Sequence, residues 1–203
     1  MNFLGHAYLS PHHDAILAGN VCADLIKGRA LAHLAPGVEQ GVRLHRAIDR
    51  YTDAHPAFAA TRRYIDPCRR RYAPVILDVY FDHCLARDWE HYSTEPFDDF
   101  VERTCVALER QRHALPAHDP VRLDRMLAAR WLAHYRTVEG IDRVFAGLNR
   151  RARFSDALAG ASADLERHYV AIEANFSELF AALRRYVESL PPSRALRGCG
   201  APT

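Results

Sequence analysis

The segment GVRLHRAIDRYTDAHP, residues 41–56, carries a histidine and two aspartates at intervals of four residues. On an α-helix, which turns about 100° per residue, His45, Asp49 and Asp53 fall within an arc of roughly 80°. They form a stripe at the border of the apolar face, and His55 follows just beyond it. Imidazole and carboxylate groups in such a stripe could hold a metal ion or transfer protons. A solvated charged face would explain the same pattern without any chemistry.

Three further carboxylates are predicted to face the protein interior. Asp78 and Asp82 share a helix face with Leu85 and Trp89, over an arc of about 60°. Asp24 falls on the apolar side of an earlier helical segment. Burying an unpaired carboxylate costs several kcal/mol, whereas a whole domain is stable by only about 5–15 kcal/mol. Arginine side chains, protonated histidines or a divalent cation must therefore meet these acids.

Histidines in the same segments favour the cation among these partners. Mixed imidazole and carboxylate ligation suits Mn²⁺, Fe²⁺ or Zn²⁺ better than Ca²⁺. A structural role stays open for each residue, because packing, helix capping or an ion pair with arginine would explain it as well. The histidines concerned are His6, His45, His55 and His83.

Composition places the chain among ordinary globular proteins. Its 203 residues are 49% hydrophobic and 26% charged, with a formal net charge of +2. This balance is typical of one domain and requires neither nucleic acid nor a membrane as partner. The five cysteines show no paired metal-binding spacing, and the start of the chain lacks the features of a signal peptide. We therefore expect a cytoplasmic protein with reduced thiols.

Helical periodicity recurs from end to end and strand signals are nearly absent, which predicts an all-α fold. We expect one helical domain over residues 1–190 and a disordered tail over 191–203. The first helix should have Ser10 as its N-cap and Pro11 as its first residue. This helix is predicted to run to about Gly28. The next follows a loop through Pro36-Gly37 and ends at about Ala54, and a short arginine-rich helix then runs to about Tyr72. Further helices are predicted over about 74–92, 96–113, 120–137, 139–151 and 154–189, the last with a break near Gly160.

Five segments, in order, resemble the acyl carrier protein phosphodiesterase family: MNFLGHAYLS, AGNVCADLIKG, GVRLHRAIDRYTDAHP, RRRYAPVILDVYFDHCLARDW and WLAHYRTVEGI. The resemblance implies an all-helical, single-domain bundle that is distantly related to HD-domain phosphohydrolases and uses a divalent metal, usually Mn²⁺. The implied reaction is hydrolysis of the phosphodiester that joins 4′-phosphopantetheine to a serine of holo acyl carrier protein. Its products would be apo carrier protein and free 4′-phosphopantetheine.

The resemblance also implies roles for individual residues, with Asp24 as the essential one. Either Asp49 or His55 could orient the attacking water or protonate the leaving serine oxygen. The implied metal ligands are Asp24, His45, Asp82 and His83. The implied catalytic and near-site residues are Asp24, Asp49, His55, His6 and Asp53.

Docking of a small acidic carrier protein would need a basic surface near the site. An arginine cluster between the two motif helices is the candidate, although a solvated helix face or a phosphate clamp would explain it too. Its members are Arg62, Arg63, Arg69, Arg70 and Arg71.

Two other functions stay open from the sequence. An HD-like phosphohydrolase could act on a free nucleotide such as a guanosine polyphosphate. Alternatively, the chain could be a metal-free, non-catalytic helical binding protein whose acids all pair with arginine. Hydrolysis of free nucleotides would identify the first, and metal analysis of the purified protein would separate the second from both enzymes.

Overall fold

A computed structural model of the protein describes residues 1–26, 31–115, 120–152 and 157–191. Within these ranges the regular elements are all helical and there is no strand, which confirms the predicted all-α fold. None of the helices in these ranges is both long and apolar enough to cross a membrane. The helix predicted to run to about Gly28 ends at Val21, and Gly28 itself and nearly all of the predicted disordered tail lie outside the described residues.

Ten α-helices and six short 3₁₀ turns make up this part of the chain. The α-helices are α1 Phe3–Tyr8, α2 Asp14–Val21, α3 Pro36–Ala54, α4 Pro56–Thr61, α5 Ala73–Arg87, α6 Phe97–Arg110, α7 Pro120–Ala128, α8 Val138–Ala152, α9 Ser162–Arg167 and α10 Tyr169–Ser189. The 3₁₀ turns are Ala23–Leu25, Arg62–Tyr64, Pro67–Tyr72, Trp89–His91, Arg112–Ala114 and Trp131–Arg136.

The beginning of the chain differs from the sequence prediction. Ser10 and Pro11 do not open a helix, because α2 begins only at Asp14. The Ser10 hydroxyl instead donates to the carbonyl oxygen of His6 at 2.8 Å and so closes the end of α1. The six-residue helix α1 is absent from the prediction, since a segment this short carries too few turns for a periodic pattern.

Later helices are shorter than predicted. The helix predicted over 74–92 ends at Arg87, and the one predicted over 120–137 ends at Ala128. Arg130 has a left-handed backbone with φ of +46°, so the chain turns there and continues as 3₁₀ helix. The predicted break near Gly160 is confirmed, because Gly160 adopts φ of +69° between α8 and α9.

Helices α2 and α3 cross in direct backbone contact because each has a glycine at the crossing. A Cβ atom on Gly19 would lie 2.2 Å from the carbonyl oxygen of Val38. A Cβ atom on Gly41 would lie equally close, 2.2 Å, to the carbonyl oxygen of Ile16. No larger residue fits at these distances, and the crossing brings Asn20 of α2 against α3.

Helix α5 occupies the core. Eleven of its 15 residues are buried, including Asp82 and His83. The first helix, the turn Trp131–Arg136, α8 and α10 all pack against it. The polar residues on α5 must therefore find their partners among buried atoms of these neighbours.

Candidate metal and catalytic site

Three side chains from α1 and α3 converge with their ligand atoms within 4.8 Å of one another. They are His6, His45 and Asp49, and we call them the His-His-Asp group. The Nε2 atom of His6 lies 3.1 Å from one carboxylate oxygen of Asp49, and the Nε2 atom of His45 lies 3.0 Å from the other. The two imidazole rings stack with their centroids 4.0 Å apart. The sequence stripe on α3 thus supplies two members of the group, and α1 supplies the third.

Asp24 lies at the exposed edge of the group. One of its carboxylate oxygens is 3.5 Å from Nε2 of His45, and its side chain is 68% exposed. The expectation that Asp24 faces the interior is therefore wrong. Helix α2 ends at Val21 and the chain continues as a 3₁₀ turn, so the α-helical phase used for that expectation does not extend to Asp24.

Asn20 orients both histidines from α2. Its Nδ2 donates to the carbonyl oxygen of His6 at 2.8 Å and to the hydroxyl of Ser10 at 2.9 Å. Its Oδ1 therefore accepts a hydrogen bond from Nδ1 of His6, at 2.9 Å. Its backbone carbonyl oxygen accepts a second one from Nδ1 of His45, at 2.8 Å. Both rings consequently carry a proton on Nδ1 and present Nε2 to the group.

The Nε2 atoms face only oxygen acceptors. His6 Nε2 lies 3.1 Å from the carbonyl oxygen of Met1 and 3.1 Å from Asp49. His45 Nε2 lies between Asp49 and Asp24. In a neutral ring protonated on Nδ1, this atom carries a lone pair, and a lone pair directed at oxygen is repulsive. Each Nε2 atom therefore needs a positive charge beside it, either a proton or a cation.

Protons can meet this need at only one of the two rings near neutral pH. Burial lowers the pKa of His6 to about 4. Burial also disfavours a charge on His45, but its hydrogen bonds with Asp24 and Asp49 outweigh this and raise its pKa to about 9. The pKa of Asp49 is lowered although burial opposes it, because both imidazoles hydrogen bond to the carboxylate. Neutral His6 is left with its lone pair against two oxygens.

The residues fit a divalent transition metal. Two imidazole nitrogens and one or two carboxylates form the mixed donor set that Mn²⁺, Fe²⁺ and Zn²⁺ accept. Ligating histidines generally donate their other ring N–H to a carbonyl or carboxylate oxygen, and Asn20 provides this partner twice. A cation in the group would also remove the repulsion at His6.

The structure places Asp82 outside the His-His-Asp group, at the N-terminus of α1. Its carboxylate accepts backbone N–H bonds from Leu4 at 2.7 Å, Gly5 at 3.1 Å and Asn2 at 3.2 Å. The side chain is fully buried, and burial raises its pKa to about 7. Asp82 thus anchors the helix that carries His6, and its role as a metal ligand stays a prediction.

The structure also gives His83 other partners. Its Nδ1 lies 2.8 Å from the carbonyl oxygen of Tyr135, and its ring packs edge-on against Tyr169. Burial lowers its pKa. The predicted role of His83 at the metal is not supported by any contact with the His-His-Asp group.

Asp53 and His55 lie at the outer end of α3. Asp53 is exposed, so the stripe runs from buried His45 through half-buried Asp49 to solvent. The Nδ1 atom of His55 accepts the backbone N–H of Ala57 at 3.2 Å and caps α4. Their catalytic roles stay predictions, and the capping role that the sequence left open is observed at His55 rather than at Asp53.

The predicted arginine cluster divides into one structural residue and four exposed ones. Arg69 forms two-pronged hydrogen bonds of 3.1–3.2 Å with Asp164, a carboxylate that is only 1% exposed. It therefore holds the turn Pro67–Tyr72 against α9. The exposed members are Arg62, Arg63, Arg70 and Arg71.

Sequence reasoning missed Asn20 as a member of the site. A signal for it exists, because Asn20 stands in the apolar segment ILAGNV and a buried amide must be hydrogen bonded. The identity of its partners could not be read from the segment, since they lie on α1 and α3.

Comparison with known proteins shows a family match over most of the chain. The family model described as acyl carrier protein phosphodiesterase matches residues 1–183. Curated relatives with that name include proteins from Escherichia coli O157:H7 (strain EC4115) and Escherichia coli K12 (strain DH10B), each 35% identical over 184 residues. A relative from Escherichia coli O6:K15:H31 is 36% identical, and all three alignments cover 89% of this chain and 94% of the relative. No solved structure gives a significant match, so the distant kinship with HD-domain proteins stays a prediction.

Proposed function

This chain belongs to the acyl carrier protein phosphodiesterase family, and from that premise we propose that it hydrolyses the phosphodiester between 4′-phosphopantetheine and a serine of holo acyl carrier protein. The family resemblance seen in the sequence is thereby confirmed, and membership makes the chain a phosphodiesterase acting on acyl carrier protein. The specific reaction, with apo carrier protein and free 4′-phosphopantetheine as products, and its dependence on a metal are our proposals.

The proposed metal site is the His-His-Asp group, with Mn²⁺ as the first candidate ion. The observation that carries it is His6, whose Nε2 lone pair is held against two oxygens by the hydrogen bond of its Nδ1 to Asn20. A bound divalent ion would supply positive charge to the phosphodiester oxygens and promote the ionisation of water. The hydrogen bonds of both Nδ1 atoms to Asn20 direct the two Nε2 atoms into the His-His-Asp group.

Asp24 is the carboxylate best placed to meet the substrate. Its side chain is 68% exposed against 39% for Asp49, and its contact with His45 holds it at the rim. The hydrogen bond from His45 lowers the pKa of Asp24, so the carboxylate is ionised at neutral pH. An ionised carboxylate can accept a hydrogen bond from the attacking water and orient it.

The contacts of the acids do not support a metal-free protein whose carboxylates pair with arginine. Asp24 and Asp49 pair with histidine, and Asp82 accepts backbone N–H groups. No observation singles out a free guanosine polyphosphate as substrate. That nucleotide serves as the alternative substrate in the test below.

Docking of the acidic carrier is assigned to the exposed arginines of the turns between α4 and α5. The set is Arg62, Arg63, Arg70 and Arg71, none of which forms an ion pair with a described residue. The guanidinium groups of Arg63 and Arg71 lie over the rings of Tyr64 and Tyr72, at 4.9 and 5.8 Å from the ring centroids. Arg69 is not part of this set, because its guanidinium forms an ion pair with Asp164.

Intact-mass spectrometry of holo acyl carrier protein tests the reaction directly. After incubation with Mn²⁺ and the wild-type protein, we expect loss of the phosphopantetheine mass, and no loss with Asp24→Ala. His6→Gln should lose both Mn²⁺ binding and activity. His83→Gln is the matched control, since His83 is equally buried and bonded to a carbonyl but lies outside the group.

Each contrary outcome has a defined meaning. Loss of Mn²⁺ binding in His83→Gln, with a normal unfolding temperature, would restore the ligand set implied by the resemblance. Survival of holo carrier with all metals, together with hydrolysis of a guanosine polyphosphate, would replace the carrier by a nucleotide as substrate.

A further inference from the structure

A cavity of about 520 Å³ opens between the start of α1, α7, α8 and the turn Trp131–Arg136. Its volume is within the roughly 300–1,000 Å³ range of small-molecule sites. It shares no lining residue with the His-His-Asp group. The first residues of the chain connect the two, because Asn2 and Phe3 line the cavity while the carbonyl oxygen of Met1 lies 3.1 Å from His6.

Three exposed arginines line this cavity. Arg125, Arg143 and Arg150 line it, none of them forms an ion pair with a described residue, and no acidic side chain is part of the lining. The neighbouring Arg130 is by contrast paired with Glu102 at 2.5 Å. Guanidinium groups collected around one concavity repel each other, so the arrangement favours an anion between them.

Trp131 is a second unusual feature of the lining. The residue lines the cavity and is only 7% exposed, yet no described atom accepts its indole N–H. A buried donor without an acceptor costs about 1–3 kcal/mol and calls for an explanation. The indole nitrogen is closed to solvent in this structure, so a shift of the Trp131 side chain would be needed to bring its N–H to an oxygen of a ligand.

Apolar side chains make up a large part of the remaining lining, beside Asn2, His134 and Tyr135, and they favour an organic ligand over a bare ion. Its apolar members are Phe3, Met126, Val144 and Leu148. Arginine is the side chain best suited to two-pronged binding of phosphate oxygens. A phosphate group joined to an apolar portion would match both halves of the lining.

We propose that this cavity binds a small organic phosphate, with the phosphate held by Arg125, Arg143 and Arg150 and the Trp131 side chain in the wall of the site. It is a second anion site, separate from the His-His-Asp group. The proposal concerns binding alone, so it does not depend on the proposed reaction. A ligand there would contact Asn2 and Phe3 and would therefore stabilise α1, the helix that carries His6.

Binding can be measured by isothermal titration calorimetry in the presence of EDTA, which keeps metal out of the His-His-Asp group. The probes are 4′-phosphopantetheine, adenosine 3′,5′-bisphosphate, inorganic phosphate and, as the phosphate-free control, pantetheine. We expect at least one organic phosphate to bind, inorganic phosphate to bind at least tenfold more weakly, and pantetheine not to bind. The first two probes distinguish a pantetheine-type from a nucleotide-type ligand.

Paired variants locate the site. Arg143→Gln/Arg150→Gln should weaken binding at least tenfold, whereas Arg184→Gln/Arg185→Gln removes two exposed arginines elsewhere and should leave it unchanged. Circular dichroism checks that both double variants are folded. Equal binding by both arginine pairs, equal binding of inorganic phosphate, or no binding of any probe would overturn the proposal. If no small ligand bound to the wild type but Arg143→Gln/Arg150→Gln raised the KM for the carrier protein, this surface would be a protein-docking site instead.

Discussion

Asn20 is the residue on which the geometry of the candidate site depends. Asn20→Ala removes the acceptor of His6 Nδ1 and the donor to the His6 carbonyl, so the ring of His6 is no longer held in one tautomer. We expect Mn²⁺ affinity to fall about 10- to 100-fold, as is usual when a ligand's orienting partner is lost. The free energy of unfolding should fall by about 1–3 kcal/mol, because buried polar atoms lose their partners.

Thr61→Val is the control for this substitution. Thr61 is fully buried and donates to the carbonyl oxygen of Ala57 at 2.7 Å, away from the site. It should lower stability without changing Mn²⁺ affinity in calorimetric titration. Equal Mn²⁺ affinities for Asn20→Ala and the wild type would remove Asn20 from the site.

His45 should make the stability of the metal-free protein depend on pH. Its pKa is raised from 6.5 to about 9 in the folded state. The stabilisation that its proton provides is therefore complete below about pH 6.5 and is lost as the pH rises through about 9. In EDTA, thermal unfolding should show Tm falling between about pH 7 and 9, with His45 contributing at most ~1.4 kcal/mol per pH unit.

His45→Gln is expected to flatten that pH dependence, and an unchanged slope would assign the titration to another group. Metal binding must displace the same proton. Apparent Mn²⁺ affinity of the wild type should consequently increase over the same pH range, by up to tenfold per unit for one proton.

The spacing on α3 identified His45 and Asp49, because a helix places residues four apart on one side regardless of the rest of the fold. The buried position of Asp82 was predicted on the same ground. Its partners were not, since they are backbone N–H groups of α1, a helix that the sequence pattern did not reveal. Asp24 was misplaced because a change from α to 3₁₀ geometry within three residues shifts the helical phase.

The approach of α2 to α3 is the element-level feature that supports the site. Gly41→Ala would place a Cβ atom 2.2 Å from the carbonyl oxygen of Ile16 and 2.6 Å from the backbone nitrogen of Asn20. The helices would have to move apart, with a cost of about 1–3 kcal/mol in unfolding free energy. Chemical denaturation measures this cost, and Mn²⁺ affinity should fall with it, because the bond from His45 to the Asn20 carbonyl lengthens.

Gly147→Ala is the matched substitution in α8. A Cβ atom there meets only the Arg150 side chain, at 3.9 Å, so the change should stabilise the protein by about 0.5–1 kcal/mol. A similar loss of stability in both variants would mean that the α2–α3 crossing is not uniquely tight.

Periodicity predicted the existence of most helices but not their ends. Apolar repeats continue through residues 120–137, yet the chain turns at Arg130, whose left-handed backbone is set by packing and not by a glycine. The reverse holds at Gly160, where the residue type itself indicates the turn. Boundaries that depend on tertiary contacts cannot be read from a local pattern.

At the scale of the whole molecule, the surface charge near α4 and α5 should control encounter with an acidic carrier. Arg70→Glu/Arg71→Glu should raise the KM for holo carrier protein several-fold, with kcat little changed and the effect reduced by salt. Arg110→Glu, a charge reversal at an exposed position of α6, serves as the control. Equal KM values for both variants would move the docking surface elsewhere.

Arg69 belongs to the same sequence cluster but should behave differently. Arg69→Met leaves the buried carboxylate of Asp164 without its main partner, and such losses cost about 3–5 kcal/mol. Thermal unfolding should show this large loss of stability for Arg69→Met. Arg70→Met removes an exposed charge and should change the free energy of unfolding by less than about 0.5 kcal/mol.

The anchoring of α1 by Asp82 also sets the order in which the site can appear during synthesis. Every member of the His-His-Asp group belongs to the first 49 residues, but α1 is too short to persist alone and its anchor is made more than 30 residues later. A nascent chain therefore carries the histidines and carboxylates long before it can hold them in register. The ion would be acquired by a folded protein and would not act as the template around which the N-terminal segment folds.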